Sequence, residues 1–187
     1  LKAQDLKLGL PVGHTSGVYS AVFSPDGTKI LTASEDNTAR VWESSSGKLI
    51  HSLEGHTSEV YSGVFSPDGT KILTASRDNT ARLWESSSGK LIHSLEGHRV
   101  ESAVFSPDGT KILTVPTNGP KILTGSWDTT ARVWESSSGK LIQSLEGHKG
   151  NVNSAVFSPD GTKILTASED NTARIWESSS GKLIHSL

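Results

Sequence analysis

The sequence predicts an all-β chain built as four four-stranded antiparallel sheets, stacked face against face. Three observations predict it. First, Gly-His pairs recur at Gly13-His14, Gly55-His56, Gly97-His98 and Gly147-His148, and Trp-Glu pairs at Trp42-Glu43, Trp84-Glu85, Trp134-Glu135 and Trp176-Glu177. Successive spacings are 42, 42 and 50 for the histidines, and 42, 50 and 42 for the tryptophans. Second, the apolar runs between these marks are five or six residues long, which suits strands and is too short for helices. Third, each run ends in turn chemistry. With 33% hydrophobic residues and 18 glycines in 187, the chain buries enough only if many short strands stack side by side.

The first unit shows the elements in order. Residues 18–23 alternate and stop at Ser24-Pro25-Asp26-Gly27, where proline presets one turn dihedral and glycine permits positive φ. Residues 29–34 form a second run, Asp36-Asn37 a tight turn, and residues 38–42 a third run. The Ser-Ser-Ser-Gly turn at 44–47 precedes a fourth run at 48–53, whose His51, like His93 and His185, puts a polar residue on the outer edge strand. The resulting units are 13–54, 55–96, 97–146 and 147–187, preceded by residues 1–12, of which 6–12 read as an outer strand. The third unit is irregular: it loses two residues after His98 and gains ten, with Lys111 to Thr114 repeated as Lys121 to Thr124. Continuity into Gly125-Ser126-Trp127-Asp128 predicts that the second copy is the strand. The insertion near 110–120 is then a loop opposite the Gly-His end. A lone sheet cannot bury both faces, so such units need neighbours on each side.

A unit of this length, with Gly-His early and Trp-acidic late, resembles the WD-repeat β-propeller family over about residues 13–187. The near identity of the units resembles recently amplified bacterial members. The resemblance implies four WD-type blades, part of a ring of about seven or eight. It also implies a structural network in each unit, running from Asp to His, from His to a Ser or Thr hydroxyl, and from that hydroxyl to the Trp indole. The residues are His14, Ser34, Asp36, Trp42; His56, Ser76, Asp78, Trp84; His98, Ser126, Asp128, Trp134; and His148, Ser168, Asp170, Trp176. Such a chain of satisfied groups ties the turns at one end of a blade to its strands. A Ser-His-Asp catalytic reading fails because it needs one exposed nucleophile and an oxyanion site. A metal reading fails because each unit offers one such His and the chain has no cysteine. No catalytic residue, metal or cofactor is expected.

The units differ at few positions. Units one and two, compared over 42 residues, differ at four: 17/59, 21/63, 35/77 and 41/83. Units one and four differ at five of 40, four of them just after the Gly-His pair. In the family these positions lie together on one rim and commonly contact partners. The corresponding candidates are Tyr19, Glu35, Glu59, Tyr61, Arg77, Arg99, Glu101, Trp127, Asn151, Asn153 and Glu169, with Trp127 the most distinctive. The expected function is a non-catalytic protein–protein interaction scaffold binding a protein or peptide, as the sensing module of a larger signalling protein. A small-ligand or glycan-binding propeller and an engineered repeat protein are the alternatives. A net charge of −2 gives no basic footprint for nucleic acid or an anionic membrane. No apolar run reaches the length of a spanning helix. Absence of cysteine fits a reducing compartment, hence a cytoplasmic protein. Four blades leave apolar faces open at both ends, so ring closure is expected from a second copy or from further blades of a longer chain.

Overall fold

The computed structural model describes residues 13–96, 100–116 and 129–187. Sixteen strands in these residues form four four-stranded antiparallel sheets, each with its strands in sequence order. Blade one contains β1 (Val18–Phe23), β2 (Lys29–Ser34), β3 (Ala39–Glu43) and β4 (Leu49–Leu53). Blade two contains β5 (Val60–Phe65), β6 (Lys71–Ser76), β7 (Thr80–Glu85) and β8 (Leu91–Glu96). Blade three contains β9 (Val100–Phe105), β10 (Lys111–Pro116), β11 (Ala131–Glu135) and β12 (Leu141–Leu145). Blade four contains β13 (Val152–Phe157), β14 (Lys163–Ser168), β15 (Ala173–Glu177) and β16 (Leu183–Ser186).

The turns follow from local chemistry. At Ser24-Pro25-Asp26-Gly27 the Ser24 hydroxyl and the Thr28 amide both donate to Asp26, and Gly27 has φ 70°. At the opposite end of blades one, two and four, Asn37, Asn79 and Asn171 take φ of 67°, 71° and 65°. Asn is one of the few side-chain-bearing residues that enter this left-handed region readily.

The core lies between blades. The face of blade one made by Leu31, Ala33, Ala39, Val41 and Leu53 packs against Val60, Ile72 and Trp84 of blade two. The equivalent residues of blades two and three meet across the next seam, and those of blades three and four across the third. Each sheet thus presents one face forward and one backward, the period-two alternation of a strand. The first strand departs from that alternation. Val18 pairs with Ser34 and Ser20 with Ala33, so Tyr19 is an extra residue in a β-bulge. The same shift occurs around Tyr61 in β5 and Asn153 in β13.

The third unit corrects the sequence-based register. Lys111–Pro116 is the second strand: Ile112 pairs with Phe105 on one side and Trp134 on the other, and the second copy at residues 121–124 lies outside the described residues. The physical reason lies in the turn before it. Ser106 donates to Asp108, and the Lys111 amide donates to the Ser106 hydroxyl, the same closure as in the other units, which delivers the chain directly into its strand. The expected loop near 110–120 is therefore not where the extra length sits. In the sequence that length falls between Pro116 and Ala131, where residues 117–128 lie outside the described residues.

Candidate functional site

Two groups of polar residues occupy the Gly-His end of the blades. The inner one is a hydrogen-bonded chain in each unit. His14 Nδ1 lies 2.9 Å from Asp36 Oδ2, and His14 Nε2 lies 2.6 Å from Thr32 Oγ1. The Trp42 indole donates to the same Thr32 hydroxyl at 2.8 Å. Unit two repeats this with His56, Asp78, Thr74 and Trp84 at 2.7, 2.8 and 2.9 Å. Unit four repeats it with His148, Asp170, Thr166 and Trp176 at 2.8, 2.7 and 2.8 Å. In unit three the Trp134 indole reaches Thr114 at 3.1 Å. His98, Ser126 and Asp128 lie outside the described residues.

The hydroxyl in this chain is therefore a threonine, and Ser34, Ser76 and Ser168 are corrected to a different role. Ile30 sits directly opposite Trp42, and Thr32 is the next residue along on the same face, within reach of the indole. Ser34 lies one step further, where it accepts from the Asp36 amide and donates to the Gly17 carbonyl. Ser76 and Ser168 act likewise on Asp78 and Asp170. With the histidine proton on Nδ1, each Thr accepts from Trp and donates to Nε2, and every polar group is satisfied.

Electrostatics agree with a fixed network. Burial raises the Asp36 carboxyl, but hydrogen bonds from Thr38, the Thr15 amide and His14 outweigh it and hold the group below the usual carboxylate range. Burial pushes His56 below its ordinary value, with Asp78 opposing in part. The guanidinium groups contribute as well: Arg40 donates to the Gly13 carbonyl at 2.7 Å and lies 3.6 Å from Asp36. In units two and four the same arginine accounts for the glycine of the Gly-His pair, whereas a Cβ at Gly13 would meet no atom within 4 Å. A Cβ at Gly55 or Gly147 would meet Arg82 or Arg174 at 2.6 or 2.7 Å, and both glycines have positive φ.

The outer group is the rim. The positions that differ between copies are neighbours across the strand connection: the Glu35 amide donates to the Gly17 carbonyl, Arg77 to Glu59, and Glu169 to Asn151. Their side chains also pair. Arg77 lies 2.9 Å from Glu59, Asn151 donates to Glu169 at 3.0 Å, and Glu35 accepts from Ser16 at 2.6 Å. Beside them, the Tyr19 and Tyr61 rings meet across the first seam with centroids 5.6 Å apart. Tyr19 is 52% exposed, although burial, Glu35 and Glu59 all push its hydroxyl pKa upward. Asn153, the counterpart of Tyr19 in unit four, is exposed. Glu101 occupies the matching bulge of β9. Arg99 and Trp127 lie outside the described residues.

The family profile described as WD domain, G-beta repeat, matches four times, at residues 7–43, 47–85, 89–135 and 139–177. The chain belongs to the WD-repeat family. Each match from the second onward joins the outer strand of one blade to the inner three of the next: 47–85 takes β4 with β5, β6 and β7. Among curated proteins, apoptotic protease-activating factor 1 of Mus musculus is 59% identical over 32 residues, 17% of this chain and 3% of that protein. The Homo sapiens protein of that name is 53% identical over the same length. Eukaryotic translation initiation factor 3 subunit I of Phaeosphaeria nodorum is 38% identical over 48 residues, 26% of this chain and 14% of that protein. The chain thus spans a small part of the relatives it matches.

WD-repeat propellers are generally non-catalytic scaffolds for protein interaction. In units one, two and four the Asp engages His Nδ1 and the Thr engages His Nε2. Among the described residues, no three His, Cys, Asp or Glu side chains are placed to hold a metal ion. The threonines were the network residues that sequence reasoning missed. The signal was present, since Thr recurs two residues before each Ser in all four units.

Proposed function

We propose that the rim at the Gly-His end binds a protein or peptide, and that Tyr19 and Tyr61 anchor it. The observation that carries this reading is the tyrosine pair: bulges lift both side chains out of the sheet alternation, and the rings meet with Tyr19 open to solvent. Bulges commonly re-aim side chains near functional sites, and tyrosine supplies contact area with little entropy to lose. Glu35 and Glu59 flank the pair and give it an acidic border that favours a basic or amide-bearing side chain, while Arg77 neutralises Glu59 in part. Within a larger signalling protein this rim would be the sensing surface. The test is selection from a displayed random-peptide library. Enriched peptides should lose at least about tenfold in affinity with Tyr19→Ala/Tyr61→Ala, a loss typical of hot-spot anchors. They should keep it with Ser45→Ala on the opposite end. Peptides that bind the double variant equally well, or no enrichment, would overturn the reading.

A further inference from the structure

Among the described residues, blade one and blade four each lack one neighbour, and their open faces are the two halves of the seam that occurs three times inside the chain. On blade one, Val18 is 51% and Phe23 67% exposed, whereas Val60, Val100 and Val152 are at most 2% exposed and Phe65, Phe105 and Phe157 are partly buried. On blade four, Leu165 is 42% and Leu187 70% exposed, whereas Leu31, Leu73, Leu113, Leu53, Leu95 and Leu145 are at most 1% exposed.

The polar clasps are interrupted at the same places. Inside the chain each blade reaches forward to the Ser-rich turn of the next. Lys29 donates to the Ser86 hydroxyl and Lys111 to Ser178. His51 Nε2 lies 2.9 Å from the Ser87 carbonyl, and His93 Nε2 lies 3.0 Å from that of Ser137. Blade four carries the forward-reaching pair, Lys163 and His185. Blade one carries the receiving turn, Ser44 and Ser45. Knob and hole, cation and acceptor, are both present on one chain, at opposite ends.

We infer that these faces close head-to-tail against a second copy of this chain, with blade four of each copy docking on blade one of the other. The occupant follows from continuity with the internal seams. The docking residues at 163, 165, 167, 185 and 187 are identical to those at 29, 31, 33, 51 and 53, which already pack on a blade of this sequence. A contact of this kind is heterologous, and two such seams related by a two-fold axis close a ring of two chains.

The absence of cysteine from the chain permits a direct test. At two internal seams a Cβ on Gly89 or Gly139 would lie 3.1 or 3.0 Å from the Cβ of His51 or His93. That is close to the roughly 3.5–4.5 Å spanned by a disulfide. Position 47 is the counterpart of these glycines on blade one, and position 185 the counterpart of the histidines on blade four. The intact chain should sediment at twice its 19.9 kDa. Mixing Gly47→Cys chains with His185→Cys chains under mild oxidant should give covalent mixed pairs well above the self-linked pairs formed by either alone. Both positions are on the surface, and far-UV circular dichroism confirms that the variants fold. A chain that sediments as a single copy, a ladder of larger species, or mixed pairs no more frequent than self-linked ones would each overturn the inference.

Discussion

Thr74 is the residue that links side chains from two other segments. It joins His56, from the loop before β5, to Trp84 on β7, and all three side chains are buried. Thr74→Val keeps the shape but leaves the indole N–H without its acceptor and the imidazole Nε2 without its donor, at about 2–4 kcal/mol for two buried polar groups. Thr74→Ser keeps the hydroxyl and should lose about 1 kcal/mol. Urea unfolding separates the two, and equal losses would show that the hydroxyl carries no weight. His56 adds a pH dependence. Its pKa in the fold lies below the ordinary 6.5, so the unfolded chain binds a proton that the folded chain resists. The stability involved is complete above pH 6.5 and is lost as pH falls from there toward the depressed folded value. Asp78, held low by Thr80 and His56 against the cost of burial, keeps its charge through that window. Urea midpoints measured from about pH 8 to about pH 5 should therefore fall, and a flat profile would sink the assignment. The sequence named the His, Asp and Trp of this chain but not its hydroxyl. Recurrence marks Thr32 and Ser34 equally, and only the cross-strand register brings Thr32 to the indole.

At the scale of the elements, most strands were legible because period-two alternation and turn residues agree. The bulges were less so. Val18, Ala21 and Phe23 are spaced so that strict alternation cannot place all three on one face. The equivalents Val100, Ala103 and Phe105 nevertheless lie in one cluster, because the bulge changes the parity between them. That parity break was readable, and it is what carries Tyr19 and Tyr61 to the rim. The third unit shows a different limit. Two copies of Lys-Ile-Leu-Thr have equal propensity, so composition cannot choose between them. The choice falls to the first copy, because the Ser106-Pro107-Asp108-Gly109 turn fixes the residue that starts the strand. The register then pairs Val100 with Pro116, where the other units pair Val with Ser. The rim also changes meaning at this scale. Gly17 to Glu59 and Glu35 to Arg77 are not independent differences, since Glu59 and Arg77 form an ion pair with each other. Part of the variation between copies is thus internal compensation, and the tyrosines carry more of the binding argument than the charges do.

For the whole molecule, the seams decide how stability is distributed. Among the described residues, blades two and three have both faces covered, while blades one and four each have one. In a stack of repeats, stability is close to a sum of unit and neighbour terms, so a unit with one seam opens more readily than a unit with two. Phe23→Glu places a charge on the open face of blade one, at a side chain already 67% exposed, and should hold the chain as a single copy. In that variant, amide exchange should be slowest in β6 and β10 and at least about tenfold faster in β2 and β14, a difference of about 1.4 kcal/mol in opening free energy. The comparison is internally controlled. Residues 29–34, 71–76 and 163–168 are the same six residues, Lys-Ile-Leu-Thr-Ala-Ser, so their intrinsic exchange rates are matched and only the number of neighbours differs. A common rate across the three strands would mean that the blades open as one cooperative unit, in which case the seams couple the stack too tightly for nearest-neighbour accounting to hold.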